Sequence, residues 1–173
     1  MRMERVFEMI LRQANDKVKT AGQLADEARA EVERMDAKKV TLGELTQMED
    51  DLFKRLDEID RMEGEMDKRM IELQEEAIEA FDKMDREWKR LERGEKLSES
   101  WDLQRRELKR VNDERNVVIH ELYDCIRKMD DSFRKLFWAV RKVTEIEEEV
   151  MKGIERELNW MEEQNRLYND DLR

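Results

Sequence analysis

The chain is 173 residues long, 47% charged and 39% apolar, with no proline, five glycines, a mean hydropathy of −1.01 and a net charge of −11. Compact domains average about a quarter charged residues, so this composition excludes a wide globular core and fits long helices with most of their surface in water. The acid excess argues against the basic footprint of nucleic-acid binders, and the single Cys125 excludes an internal disulfide framework and fits a reducing, cytoplasmic setting.

The N-terminal stretch from Met1 to Phe7 is charged and lacks the apolar region of a signal peptide. From there apolar residues recur every seven positions: Phe7, Ala14, Ala21, Ala28, Met35, Leu42, then Leu56, Met70, Ala77, Met84 and Leu91, with Glu49 and Glu63 as the interruptions. A second column, Leu45, Leu52, Ile59, Met66, Leu73 and Ala80, lies three or four residues away. Two such columns form the stripe a helix needs to wrap another helix. Thr41 to Glu44 also reads as a capping box, which would break this helix at 40–43. The step through Met35, Leu42 and Glu49 has no skip, however, and it favours one continuous helix over 3–92.

Residues 93–99 form a tip in which Gly94 suits the position just past a helix end, and Ser98 or Ser100 suits the cap of the next helix. The helix over 100–172 repeats the pattern with Trp101, Leu108, Leu122, Met129, Leu136, Val143 and Val150, beside Val111, Val118, Cys125, Ala139 and Ile146. So short a connection makes the two helices antiparallel neighbours. The expected fold is therefore all-α, a single elongated domain over 1–173 built as a long antiparallel helical hairpin, or coiled coil. If the first helix is broken, three long helices result, and the last 25 or so residues overhang the bundle, at about 1.5 Å of rise each.

Charge is arranged to match. Residues 126–143 carry Arg127, Lys128, Arg134, Lys135, Arg141 and Lys142 against Asp130 and Asp131. The facing stretch 47–64 carries Asp50, Asp51, Asp57 and Glu58 with Glu49, Asp60 and Glu63, against Lys54, Arg55 and Arg61. Such stripes set register more than they stabilise, since exposed pairs contribute about 0–1 kcal/mol each. In the same hairpin Ala14, Ala21, Ala25 and Ala28 would face the large Trp160, Met161 and Tyr168.

The stripe broadens in the middle, where Phe133, Leu136, Phe137, Trp138 and Val140 extend beyond two columns. A two-helix hairpin cannot cover that much apolar surface, so these residues are read as a self-association interface, most simply a homodimer. Phe137 and Trp138 are the best anchors, because neighbouring helical residues point about 100° apart and cannot share one narrow seam. Trp88, Trp101 and Trp160 are the other candidate anchors, and the twelve methionines mostly fill gaps in the seam.

No chemistry is legible. His120 is the single histidine, and with Cys125 it supplies too few ligands for zinc. There is no phosphate-cradling glycine loop and no activated serine. We therefore expect no catalytic residue, cofactor or metal. The expected function is a non-enzymatic scaffold or adaptor working through protein partners and self-association, with neither nucleic acid nor a membrane as its main partner. Two alternatives share the composition. One is a membrane-surface module whose proportions resemble BAR-type proteins in architecture alone, with the basic pairs as lipid contacts. The other is an ATP-independent helical chaperone or escort.

Overall fold

The computed structural model describes residues 2–94 and 101–172, and every regular element among them is an α-helix. Helix α1 spans Arg2–Glu33, α2 spans Leu42–Glu92 and α3 spans Trp101–Asp171. The continuous helix expected over 3–92 is thus corrected: the chain breaks at 34–41. Asp36 organises the turn. Its side-chain Oδ1 accepts from the Lys38 amide at 3.0 Å, and its carbonyl accepts from the amides of Lys39 and Val40 at 2.9 and 3.0 Å. Thr41 then caps α2. The Glu44 amide donates to Thr41 Oγ1 at 3.1 Å, the Thr41 amide donates to Glu44 Oε2 at 3.4 Å, and the Leu45 amide donates to the Thr41 carbonyl. Each orphan amide of the new N-terminus that this box reaches is satisfied locally.

The unbroken seven-residue step across the break carries no helix. Leu42 is 38% exposed, and the stripe that α2 buries begins instead at Leu45 and continues through Leu52 and Ile59, all fully buried. What the reversal gains is burial of the α1 face. Phe7, Ile10, Ala14, Ala21, Ala25, Ala28 and Val32 are all in the core. At about 1.5–3 kcal/mol for each large side chain removed from water, this outweighs the few helical hydrogen bonds given up at the turn.

Contacts gather the helices into two units, each holding a stretch of all three. One combines the residues up to Gly22 with Ile59–Asp131. In it Lys17 of α1 pairs with Glu65 of α2 at 2.6 Å, and the Cys125 thiol of α3 lies 3.6 Å from Asn15 Oδ1 of α1. Arg115 of α3 lies 3.4 Å from Glu76 of α2, and Asp130 meets Glu63, so α2 and α3 run antiparallel. Its centre holds Met66, Leu122 and Met129.

The other unit combines Gln23–Glu58 with the chain from Ser132 onward. Arg55 of α2 is its main tie to α1. Its guanidinium donates to the Leu24 carbonyl at 2.9 Å, stands 3.8 and 3.7 Å from Glu27 and Glu31, and is held from behind by Asp51 at 3.1 Å. Lys135 pairs with Asp26 at 3.3 Å, and the Arg29 guanidinium sits 5.1 Å from the Trp138 ring centre, so α1 runs parallel to α3. Ala25 and Ala28 are fully buried, as are Leu136, Ala139 and Val143.

At the end of α2, Gly94 adopts φ 76°, the left-handed conformation that closes a helix without a Cβ penalty, as its position in the sequence suggested. The serine caps expected at Ser98 and Ser100 lie outside the described residues.

The cap gives a direct test. Thr41→Ala removes a side-chain acceptor worth about 1 kcal/mol and is expected to lower Tm by about 2–4 °C in a calorimetric melt. In an unbroken helix the same change would leave Tm unchanged or raise it, because alanine is the better helix former.

Candidate docking surfaces

The five residues read as a self-association interface are separated by the fold. Leu136 is fully buried inside the chain's own bundle, while Phe133, Trp138 and Val140 are half-buried and Phe137 is 53% exposed. The breadth of the α3 stripe has an intramolecular cause: α1 lies along it. Trp138 takes the Arg29 guanidinium from α1 on its ring, with Lys142 Nζ 5.8 Å from the same ring centre. Phe133 and Phe137 stack on each other with centroids 6.1 Å apart and leave an aromatic ridge at the surface.

The charge stripes are also drawn partly toward α1. Lys135 pairs with Asp26 of α1, whereas Arg127 pairs with Asp124 and Lys142 with Glu145 on their own helix. Asp51 serves Arg55, and Asp50, Asp57, Arg134 and Arg141 are exposed or half-exposed without a place in the α1 contacts just described. Glu58 and Lys128 also make polar contacts.

Glu49 and Glu63, the interruptions in the apolar column, both face carboxylates of α3. Burial, followed by a hydrogen bond with Asp130 and repulsion from it, pushes Glu63 up to about 7. Burial and a similar contact with Glu147 raise Glu49 above the usual carboxylate range. A hydrogen bond between two carboxyl groups needs one of them protonated, and Glu63 Oε1 is buried without a hydrogen-bond partner. The Cys125 thiol is likewise pushed up by burial, which keeps it unreactive. His120 is exposed, and among the described residues no group of three or more His, Cys, Asp or Glu could hold a metal. No described helix is long and apolar enough to cross a membrane.

Two apolar surfaces stand uncovered among the described residues. The Lys17–Glu65 contact sets Arg2 level with about residue 80 of α2. There a groove of about 860 Å³ opens, lined by Phe81, Met84, Trp88, Trp101, Leu103 and Leu108, with Val111 and the buried Arg115. Trp88 donates its indole N–H to Glu92 at 2.9 Å and keeps half its surface in water.

The second surface is the last part of α3. From the Glu49–Glu147 contact, α2 ends level with about residue 154 of α3, and α1 ends sooner. Every residue over 151–172 is exposed. Yet an apolar seam runs along this stretch in two seven-residue columns: Met151, Leu158, Asn165 and Leu172 in one, and Ile154, Met161 and Tyr168 in the other. Leu158 is 55% exposed, and Trp160, on the outer face of the same stretch, is 63% exposed. The alanines of α1 do not meet Trp160, Met161 or Tyr168, a correction to the sequence reading that follows from the reversal at 34–41.

The periodicity that marks this seam was visible in the sequence. The continuous-helix reading gives it the first helix as a partner, whereas the broken-helix reading leaves the last 25 or so residues overhanging, and residues 151–172 are indeed exposed. Comparison of the chain with protein-family models, curated proteins and solved structures finds no match.

The carboxylate pair predicts a specific pH dependence. Glu63 has a folded value of about 7 against an ordinary 4.5. Its stabilising contribution is fully present below pH 4.5 and is lost as pH rises through 7. Glu63→Gln, which mimics the protonated state, is expected to melt about 2–6 °C above the parent at pH 8, with the difference closing toward pH 5. Parallel melts of the two proteins check this, and a pH-independent difference would contradict the assignment.

Proposed function

We propose that the chain is a non-enzymatic helical scaffold or adaptor that recruits protein partners through apolar helix faces its own bundle leaves uncovered. The observation that carries this reading is the stretch 151–172 of α3, which keeps the two-column apolar pattern of a paired helix while lying wholly exposed. Leaving such a face in water forgoes about 1.5–3 kcal/mol for each large side chain, and Tyr168 on it is of a residue type that dominates interface energetics. The groove beside Trp88 and Trp101 offers a second helix-sized face. A cytoplasmic setting, read from the single cysteine, goes with this role.

Self-association is a second reading, favoured by the exposed Phe133–Phe137 ridge. In this form Phe137 alone is the anchor, because Trp138 already serves the contact with Arg29.

One set of variants tests both readings. Phe137→Asp is expected to shift any dimer to monomer in sedimentation equilibrium without loss of helicity, and a parent protein that is monomeric at micromolar concentration removes the second reading. Leu158→Asp with Tyr168→Asp is expected to abolish partner capture from native lysate while melting and helicity stay at parent values. Capture unaffected by this pair would move the contact away from α3.

A further inference from the structure

The seam of α3 also specifies what it pairs with. Helix pairing places side chains on either side of the apolar columns opposite those of the other strand, and their charges select the partner. On α3 the positions preceding the first column are Val150, Glu157, Gln164 and Asp171, and those following the second are Glu155, Glu162 and Asn169. Four of these seven are acidic and none is basic. The basic residues of the stretch, Lys152, Arg156 and Arg166, lie on the far side, where Arg166 pairs with Glu163 of its own helix at 2.6 Å.

A second copy of this chain is therefore the wrong strand. In a parallel pair of copies, Glu157 of one would stand opposite Glu162 of the other. In an antiparallel pair the preceding positions would face each other and so would the following ones, again with acid and no base. Like charges so placed disfavour association in either direction. Asn165 adds a second restriction. It stands in the middle of the first column, where a polar residue costs stability against an apolar neighbour and is matched by a polar one.

We infer that residues 151–172 of α3 form one strand of a heterotypic coiled coil whose other strand is an amphipathic helix with Lys or Arg flanking its apolar seam and a polar residue opposite Asn165. The inference rests on the adaptor reading and names the partner chemistry of that same face. Acidic flanks steer a basic helix to the site and set its register, and the apolar columns hold it there.

The test uses the full chain and two synthetic three-heptad peptides. Both carry Ile and Leu in the seam with one central Asn, and they differ in having Lys or Glu at all flanking positions. Fluorescence anisotropy is expected to show the Lys peptide binding at least about tenfold more tightly than the Glu peptide, with affinity falling as salt is raised. Leu158→Asp abolishes that binding. Glu157→Lys with Glu162→Lys reverses the preference, and because these side chains are exposed and outside the bundle core, helicity stays unchanged. Equal binding of both peptides leaves the adaptor reading standing and overturns the basic partner. Binding of neither, to a chain that sedimentation finds monomeric, overturns both. A parent protein that dimerises and becomes monomeric on Leu158→Asp makes a second copy the occupant and overturns the inference.

Discussion

The reversal at 34–41 is the constraint from which the other features of this chain follow. A turn organised by Asp36 and closed by the Thr41–Glu44 box sends α1 back along α2 and α3. That placement decides which apolar surfaces are covered. It puts the alanine face of α1 into the core, brings Asp26 and Arg29 beside Lys135 and Trp138, and gives Arg55 a carbonyl and two carboxylates to bind. It also decides what is left uncovered. From the Glu49–Glu147 contact α2 begins level with about residue 154 of α3, and every residue over 151–172 is exposed.

Polar groups within the seams qualify how tightly this bundle holds. Arg115 is buried beside Glu76, and Glu63 meets Asp130 across the same pair of helices. Neither arrangement is the most stable one available, since buried ions and paired carboxylates both carry desolvation and repulsion costs. Glu49 and Glu63 lie two heptads apart on α2, and each faces a carboxylate of α3.

The proposed function rests on the same division into covered and uncovered faces. Where all three helices are present, large apolar side chains are mostly buried. At the groove beside Trp88 and along 151–172, Phe81, Trp88, Leu158 and Trp160 stand at the surface. Isolated exposed apolar residues mean little, but a continuous seam at seven-residue spacing is the form in which helices recognise helices. The flanks of that seam carry four acidic residues and no basic one.

Periodicity along the chain was enough for the all-α class, the antiparallel pairing of α2 with α3 and nearly all of the core. Leu45, Leu52, Ile59, Leu122, Met129, Leu136 and Val143, each on a seven-residue column, are the largest fully buried side chains. That information is local, because a helix must keep its apolar residues on one face whatever it packs against. The path of the chain at residue 40 was a different matter. The capping box and the uninterrupted step were both present in the sequence and pointed in opposite directions, each worth about a kilocalorie or less of local preference. Burial of Phe7, Ile10, the alanines and Val32 against two other helices settled it, and that term exists only once the helices are together. The same event set α1 beside the stripe at Leu136 and Trp138 and left the seam from Met151 to Leu172 exposed. Which apolar face of a helix is core and which is free depends on where its neighbours end, a distance in space that no window of sequence contains.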